Sequence, residues 1–292
     1  MPKASANKTG STNAFDQNWR NREEAFYNHW SPNKPVNQIQ LAFYSHWKLF
    51  LDLLKGKTKG KCLEVGCGRG TISSYFAENG FDCTLTDISP AVLDIAEKIF
   101  DKAGHKASFI EVDANDMPFH DGEFDVIVNI GLIEHFENVE TVIDEHIRVL
   151  KKDGLALCYI VPEFENNVQY KFNWINSILK VIHHLFKADK TNKYVKANIY
   201  RNTYMPDYYL SIMKDKNVYD ADVVGMYPLP MVSYSPEFPF TLLPPALEKI
   251  LVYIFKLVLS YRKFVYRKNP WTCNPLFGQA FLLVFRKKGK FL

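Results

Sequence analysis

The segment Leu63-Glu64-Val65-Gly66-Cys67-Gly68-Arg69-Gly70 constrains the fold more than any other part of the chain. Lys61 to Val65 reads as a short buried strand and Thr71 to Glu78 opens a helix, so three glycines occupy the turn between them, behind an acidic residue. A turn without Cβ atoms lets the backbone approach a bound molecule closely, and its N–H groups form a concavity suited to a carboxylate or phosphate. The spacing narrows the ligand. Dinucleotide binders need G-x-G-x-x-G, whereas here glycines fall at 66, 68 and 70 and Thr71 stands at the third dinucleotide position.

The segments that follow extend the pattern. Phe81 to Thr86 is a second strand ending at Asp87, 21 residues after Gly66. A carboxylate at the tip of a second parallel strand takes both hydroxyls of a ribose, and Ile88 beside it offers an apolar face to a base. Ser89-Pro90 starts a helix as N-cap and first residue, with Val92, Ile95, Ala96 and Ile99 at helical spacing. Ala107 to Val112 is a third strand ending at Asp113-Ala114, and Phe124 to Val128 a fourth ending at Asn129-Ile130-Gly131. Leu150 to Gly154 turns into a fifth strand, Leu155 to Val161.

Over roughly residues 59 to 162 this series resembles class I S-adenosylmethionine-dependent methyltransferases. The acidic residue two positions before the first glycine matches that family's first motif. Leu150 to Gly154 is similar to its LKPGG-type turn, with Asp153 in place of the first glycine. The closest likeness is to small-molecule enzymes, including quinone-pathway and polysaccharide-cluster methyltransferases. The resemblance implies an α/β fold: a doubly wound, mostly parallel, seven-stranded Rossmann-like sheet in the order 3-2-1-4-5-7-6, with a helical N-terminal cap and lid insertions. It implies S-adenosyl-L-methionine as co-substrate. Glu64, Gly66, Cys67 and Gly68 would shape the site of its methionine part, Asp87 and Ile88 would take ribose and adenine, and Asp113 and Ala114 would read the adenine amino group. Asn129 and Ile130 would face the amino acid portion.

Methyl transfer from a sulfonium is an in-line displacement in which the protein aligns the reactants and excludes water. A hydroxyl acceptor also needs a base within hydrogen-bond reach. Glu134 and His135 follow the fourth strand, whose edge borders the donor methyl in the family, and histidine titrates near neutrality. The same pair can instead be structural, with Glu134 capping the next turn and His135 packing. No metal is expected, because Gly131 stands where the RNA 3′-end enzymes place a further acidic ligand. Asn129-Ile130-Gly131-Leu132 departs from the N/D-P-P-Y/F loop of adenine methyltransferases, and the chain has no Pro-Cys for a cytosine C5 nucleophile.

The rest of the chain sets the surroundings. A net charge of +4 over 292 residues, with no dense basic stripe, argues against nucleic acid. The five cysteines form no C-x-x-C pair, and the odd count fits a reducing, cytoplasmic compartment. Residues 1–14 read as a disordered tail and 15–58 as the cap, with helices over Ala14 to Trp30 and Val36 to Leu54; the His29-Trp30 and His46-Trp47 pairs lie on them. The domain proper then spans 59–292. Insertions at 163–204, holding a helix with His183-His184, and at 230–277 form a lid or interfacial element, and the tyrosines Tyr200, Tyr204, Tyr208 and Tyr209 run from the end of the first into a further helix expected near Pro206 to Lys214. Within the second, Pro245 to Lys268 is the most hydrophobic long segment, with Lys249, Lys256, Ser260, Lys263 and Arg267 on one stripe. One expectation has its wide apolar face docked over the active site. The other has 243–268 lying on anionic lipid, which suits a lipid-linked rather than a freely soluble acceptor; a subunit interface gives the same pattern. From another class, a SAM-binding partner without turnover remains the rival to an enzyme.

Overall fold

Near-continuous apolar runs such as Val126-Ile127-Val128 need cover on both faces, and parallel strands supply it by placing crossover helices on either side. In the computed structural model, which describes residues 30–31, 34–186 (backbone only for 184–186), 200–234 and 242–289, five strands run parallel: β1 (Gly60–Val65), β2 (Phe81–Asp87), β3 (Ala107–Glu111), β4 (Phe124–Ile130) and β5 (Leu150–Ile160). Beyond β5 come β6 (Val218–Met226), the two-residue β7 (Thr272–Cys273) and β8 (Ala280–Lys287), and the sheet order is β3-β2-β1-β4-β5-β8-β6-β7. β8 is antiparallel to both β5 and β6. The expected order of seven strands is present, with one correction. β7 pairs outside β6 through Gly225–Cys273 and Met226–Thr272 and makes an eighth, too short to carry a pattern.

β5 begins at Leu150 rather than Leu155: Leu150 pairs with Phe124 and Leu155 with Val126, and the extra residues between them bulge from the ladder with Asp153 at φ +60°. A short polar side chain tolerates that left-handed conformation better than most.

The helices are α1 (Gln38–Leu54), α2 (Thr71–Glu78), α3 (Pro90–Ala103), α4 (Val139–Val149), α5 (Val168–Phe186), α6 (Pro206–Met213) and α7 (Pro245–Tyr266), with a 3-10 turn at Ile133–His135. Local chemistry sets their ends. Asn37 accepts from the Gln40 N–H to start α1. Ser89 accepts from Val92, Pro90 opens α3, and Gly104 at φ +72° closes it.

Two cores result. On one face α1, α2, α3 and α7 bury Phe50, Phe76, Phe100, Val128 and Trp271; on the other α4 and α6 bury Ile127, Val142, Tyr209, Phe281 and Phe285. The tail 1–14, the helix expected over Ala14 to Trp30 apart from its last residue, His29, and residues 187–199 and 235–241 of the insertions lie outside the described residues, as does the His184 side chain.

α7 corrects one expectation. Its buried residues are Glu248, Val252, Phe255 and Leu259, a single narrow stripe, and the wide apolar face is turned outward. No helix among the described residues is long and apolar enough to cross a membrane.

Candidate active site

The tips of β1 to β5 share one edge of the sheet, and the order reverses between β1 and β4, where open α/β sheets bind ligands. The turn after β1 is held there by its glycines. Gly66 and Gly70 have φ of +68° and +64°; a Cβ on Gly66 would lie 2.7 Å from Leu132 Cδ1, and one on Gly70 2.5 Å from Leu85 Cδ2. The first brings the β1 and β4 tips together, the second seats α2 on β2 and α3.

Two carboxylates brace this turn. Glu64 is buried and accepts from the Ser73 N–H in the first turn of α2 at 3.1 Å. Asp87 Oδ2 accepts from the Gly68 N–H at 3.2 Å and Oδ1 from Ser89 N–H at 3.1 Å, so its orientation is fixed from both sides. Burial pushes the Glu64 carboxyl up to about 8, against the Ser73 hydrogen bond, and the Asp87 charge adds to the rise. Burial also raises Asp87, opposed by its backbone donors. Two poorly solvated carboxyls around one Gly-rich turn are what a cationic ligand with a ribose would relieve.

The other expected residues fall as follows. Cys67 donates its N–H to Thr86 O at 2.8 Å, and its thiol is buried, so the backbone rather than sulfur lines the turn. Ile88 is half-buried beside Asp87. Asp113 follows Val112, whose N–H reaches Asp87 O at 3.0 Å, and its own Oδ1 accepts from the Asn115 N–H and side chain. Ala114 is buried next to it. Ile130 packs with the core that contains Val128, the neighbour of Glu64 across the ladder. Asn129 departs from expectation. Its side chain lies on the opposite face, donating to His146 Nε2 at 3.1 Å beneath α4, so only its backbone is at the edge. Alternation along a strand dictates this once Val128 faces the Glu64 side.

The Glu134-His135 pair also separates. Glu134 is fully buried; Oε1 accepts from Val161 N–H at 3.3 Å, and Oε2 has no hydrogen-bond partner among the described residues. Its carboxylate thus joins the β4 and β5 tips instead of capping α4, and burial pushes it up to about 7. His135 donates from Nδ1 to Tyr200 O at 2.7 Å, and burial lowers it to about 4. From the first insertion, Asn202 donates to Ile133 O and Phe136 O, and its N–H to Glu134 O, which ties the insertion to the 3-10 turn. Tyr204 at the end of the insertion stacks on Tyr208 of α6, and Tyr209 is buried in the α6 core. Among the described residues no three His, Cys, Asp or Glu side chains cluster as metal ligands would.

One group escapes sequence reasoning. His46 on α1 accepts at Nδ1 from Trp271 Nε1–H at 2.9 Å and meets the Tyr159 ring at 4.6 Å and the Tyr227 ring at 6.1 Å. Burial lowers His46 to about 3. The ring is therefore neutral with its proton on Nε2, an aromatic wall at the ends of β5 and β6. The partner lies 225 residues away, and no local signal joins them. The surface hollow lined by Ser260, Lys263, Phe264 and Arg267 belongs to α7 and touches none of these groups.

Comparison with known proteins agrees with this geometry. Residues 63–158, about a third of the chain, match the methyltransferase domain family. Ubiquinone biosynthesis O-methyltransferase of Actinobacillus pleuropneumoniae is 30% identical over 135 residues, 43% of this chain and 56% of that one. Sterol 4-C-methyltransferase strm-1 of Caenorhabditis elegans is 31% identical over 126 residues, 42% and 36% of the two chains. Ajmaline N-methyltransferase of Rauvolfia serpentina is 39% identical over 90 residues, 30% and 31%. The match thus spans between 31% and 56% of the length of these relatives. A SAM-dependent methyltransferase of Thermotoga maritima shares the fold at TM-score 0.54 and 16% identity, covering 94% of this chain and 99% of that one. Residues 63–158 thus match a methyltransferase domain, and the fold is that of the Thermotoga maritima structure.

Proposed function

We propose that the protein transfers a methyl group from S-adenosyl-L-methionine to a small or lipid-linked acceptor, with a hydroxyl oxygen favoured over nitrogen or carbon. The observation that carries the reading is the pair of buried carboxyls, Glu64 and Asp87, fastened to opposite sides of the three-glycine turn. When bound, S-adenosyl-L-methionine supplies a methyl already activated on a sulfonium. The chain's own groups then do the following. Asp87 accepts from the ribose hydroxyls, Ile88 covers the base, and Asp113 with Ala114 meets its amino edge. Gly66, Cys67 and Gly68 present backbone, and Glu64, losing its proton, answers the positive charge. The backbone at Asn129 and Ile130 bounds the far side.

Glu134 is our choice for the base. It has an oxygen without a hydrogen-bond partner among the described residues and a carboxyl near neutrality, the range in which proton acceptance is most effective. His135 positions the chain after the 3-10 turn through Tyr200. In this reading 15–58 is a cap, 59–292 the catalytic domain, and 163–204 with 230–277 a lid. A cytoplasmic, membrane-peripheral location, with no nucleic-acid partner, belongs to the same reading; the five cysteines are unpaired thiols.

The relatives named above methylate oxygen, carbon and nitrogen between them, which leaves the acceptor to experiment. Calorimetry with S-adenosyl-L-methionine is expected to give one site per chain; no binding overturns the assignment. With an acceptor in hand, Glu134→Gln should lower kcat by roughly 100-fold or more while donor affinity holds. If His135→Ala has that effect and Glu134→Gln does not, the base is the histidine. Donor binding without turnover on any acceptor favours the non-catalytic partner.

A further inference from the structure

We propose that α7 is an interfacial helix that lies flat on an anionic lipid bilayer through the face it turns away from the sheet. At 100° per residue its side chains sort into three sectors. Glu248, Val252, Phe255 and Leu259 form the buried stripe. Lys249, Lys256 and Lys263 recur every seven residues along its flank. The remaining arc is apolar and open: Ile250, Tyr253, Leu257, Tyr261 and Phe264 are all exposed, Tyr261 to 68% and Phe264 to 82%. A helix on a protein surface ordinarily turns a polar face to water, and an aromatic-rich exposed face of this length marks an interaction site.

Charge selects the occupant. Between 245 and 268 there are six cations, Lys249, Lys256, Arg262, Lys263, Arg267 and Lys268, and one acid. That acid, Glu248, is buried and taken by Gln38, which donates to it from both its backbone and its side chain. A second copy docked by the same face would set lysine row against lysine row with no exposed carboxylate on either helix to answer them. α5 offers none either: Val168–Phe186 contains no acid, and it too exposes Tyr170, Trp174, Ile178 and Val181. A surface of lipid phosphates supplies the missing negative charge and accepts the aromatic arc at headgroup depth. Twenty-two residues laid in the plane make a contact about 33 Å long. Bilayer docking rests on the membrane-peripheral location proposed above, and unlike methyl transfer it can be measured without an acceptor.

Flotation of the full chain with phosphatidylcholine vesicles, with and without phosphatidylglycerol, tests it. Binding is expected only to the anionic vesicles and should weaken as salt is raised. Lys249→Gln, Lys256→Gln and Lys263→Gln together should lower the partition constant about 100-fold. Tyr261→Ser with Phe264→Ser should remove most of the remainder. All five positions are exposed, so thermal melts report whether each variant folds; if the serine variant does not, the glutamine variant decides alone. No flotation on anionic vesicles, equal flotation on both kinds, or binding that the variants leave intact overturns the proposal. So does a dimer, in sedimentation, that the same variants dissociate while vesicles are not bound. Donor binding by calorimetry is unaffected in every arm, so a failed donor site and a failed membrane face are told apart.

Discussion

The Gly-rich turn and α7 handle polarity in opposite ways. At the turn, charge is inside: Glu64 and Asp87 are withdrawn from water and each is held by a backbone N–H of the loop they brace. Along α7 the apolar side chains are outside, and the sole acid is tucked beneath them. The first arrangement is costly in an isolated chain and becomes favourable when a cation arrives; the second becomes favourable when an amphiphilic surface arrives.

The contrast can be broken most severely at Gly70. Valine there meets Leu85 and Phe100 and must adopt φ +64°, so stability should fall by about 3 kcal/mol or more, read as a lowered denaturation midpoint. Equal stability of the variant would mean the turn is not packed as described. Asp87→Ala comes next: loss of a charged acceptor should weaken donor binding by roughly 1.5–3 kcal/mol in calorimetry. Unaltered affinity would remove the ribose role.

Glu64→Gln has a signature in pH. The carboxyl is raised to about 8 in the folded protein from an ordinary 4.5. Between those values the folded state holds the proton and the unfolded state does not, so its contribution to stability falls as pH rises through that window. The variant should be more stable than the parent at pH 8, by up to about 4 kcal/mol, and the gap should close as pH falls toward 4.5. A difference that grows toward acid would reverse the sign and refute the raised carboxyl. The smallest effect belongs to α7. Phe264→Ser should change the melting free energy by no more than about 0.5 kcal/mol, because an exposed ring has no packing to lose. A large loss would show that the face is covered after all.

These regions also differ in how far the sequence disclosed them. The turn is local chemistry: three glycines, an acid two places earlier and Asp87 21 residues on can each be read with their neighbours. The five parallel strands follow from that spacing; the direction of Asn129 does not, because the strand's alternation sends its side chain to His146. What could not be read depends on contacts between distant segments. Trp271 reaches His46 across 225 residues, and Gln38 reaches Glu248 across 210. α7 is apolar on so many sides that its sequence allows more than one face to be buried; only the packing of Val252, Phe255 and Leu259 into the core it shares with α1 decides it. The role of Glu134 was hidden for the same reason, since its partner Val161 lies on the next strand's exit.

Gln38 draws these strands of structure together. Its backbone and side chain donate to Glu248 at the start of α7, its Oε1 accepts from Val232 and its Nε2 donates to Val232 O. One glutamine therefore buckles the amino-terminal cap to both ends of the segment that leads into α7. Any force that tilts α7 is delivered to the first turn of α1, eight residues from the His46 ring that walls the ends of β5 and β6. Replacing Glu248 with alanine would remove the acceptor shared by Gln38 and Leu243 and loosen α1 and α7 in a single stroke.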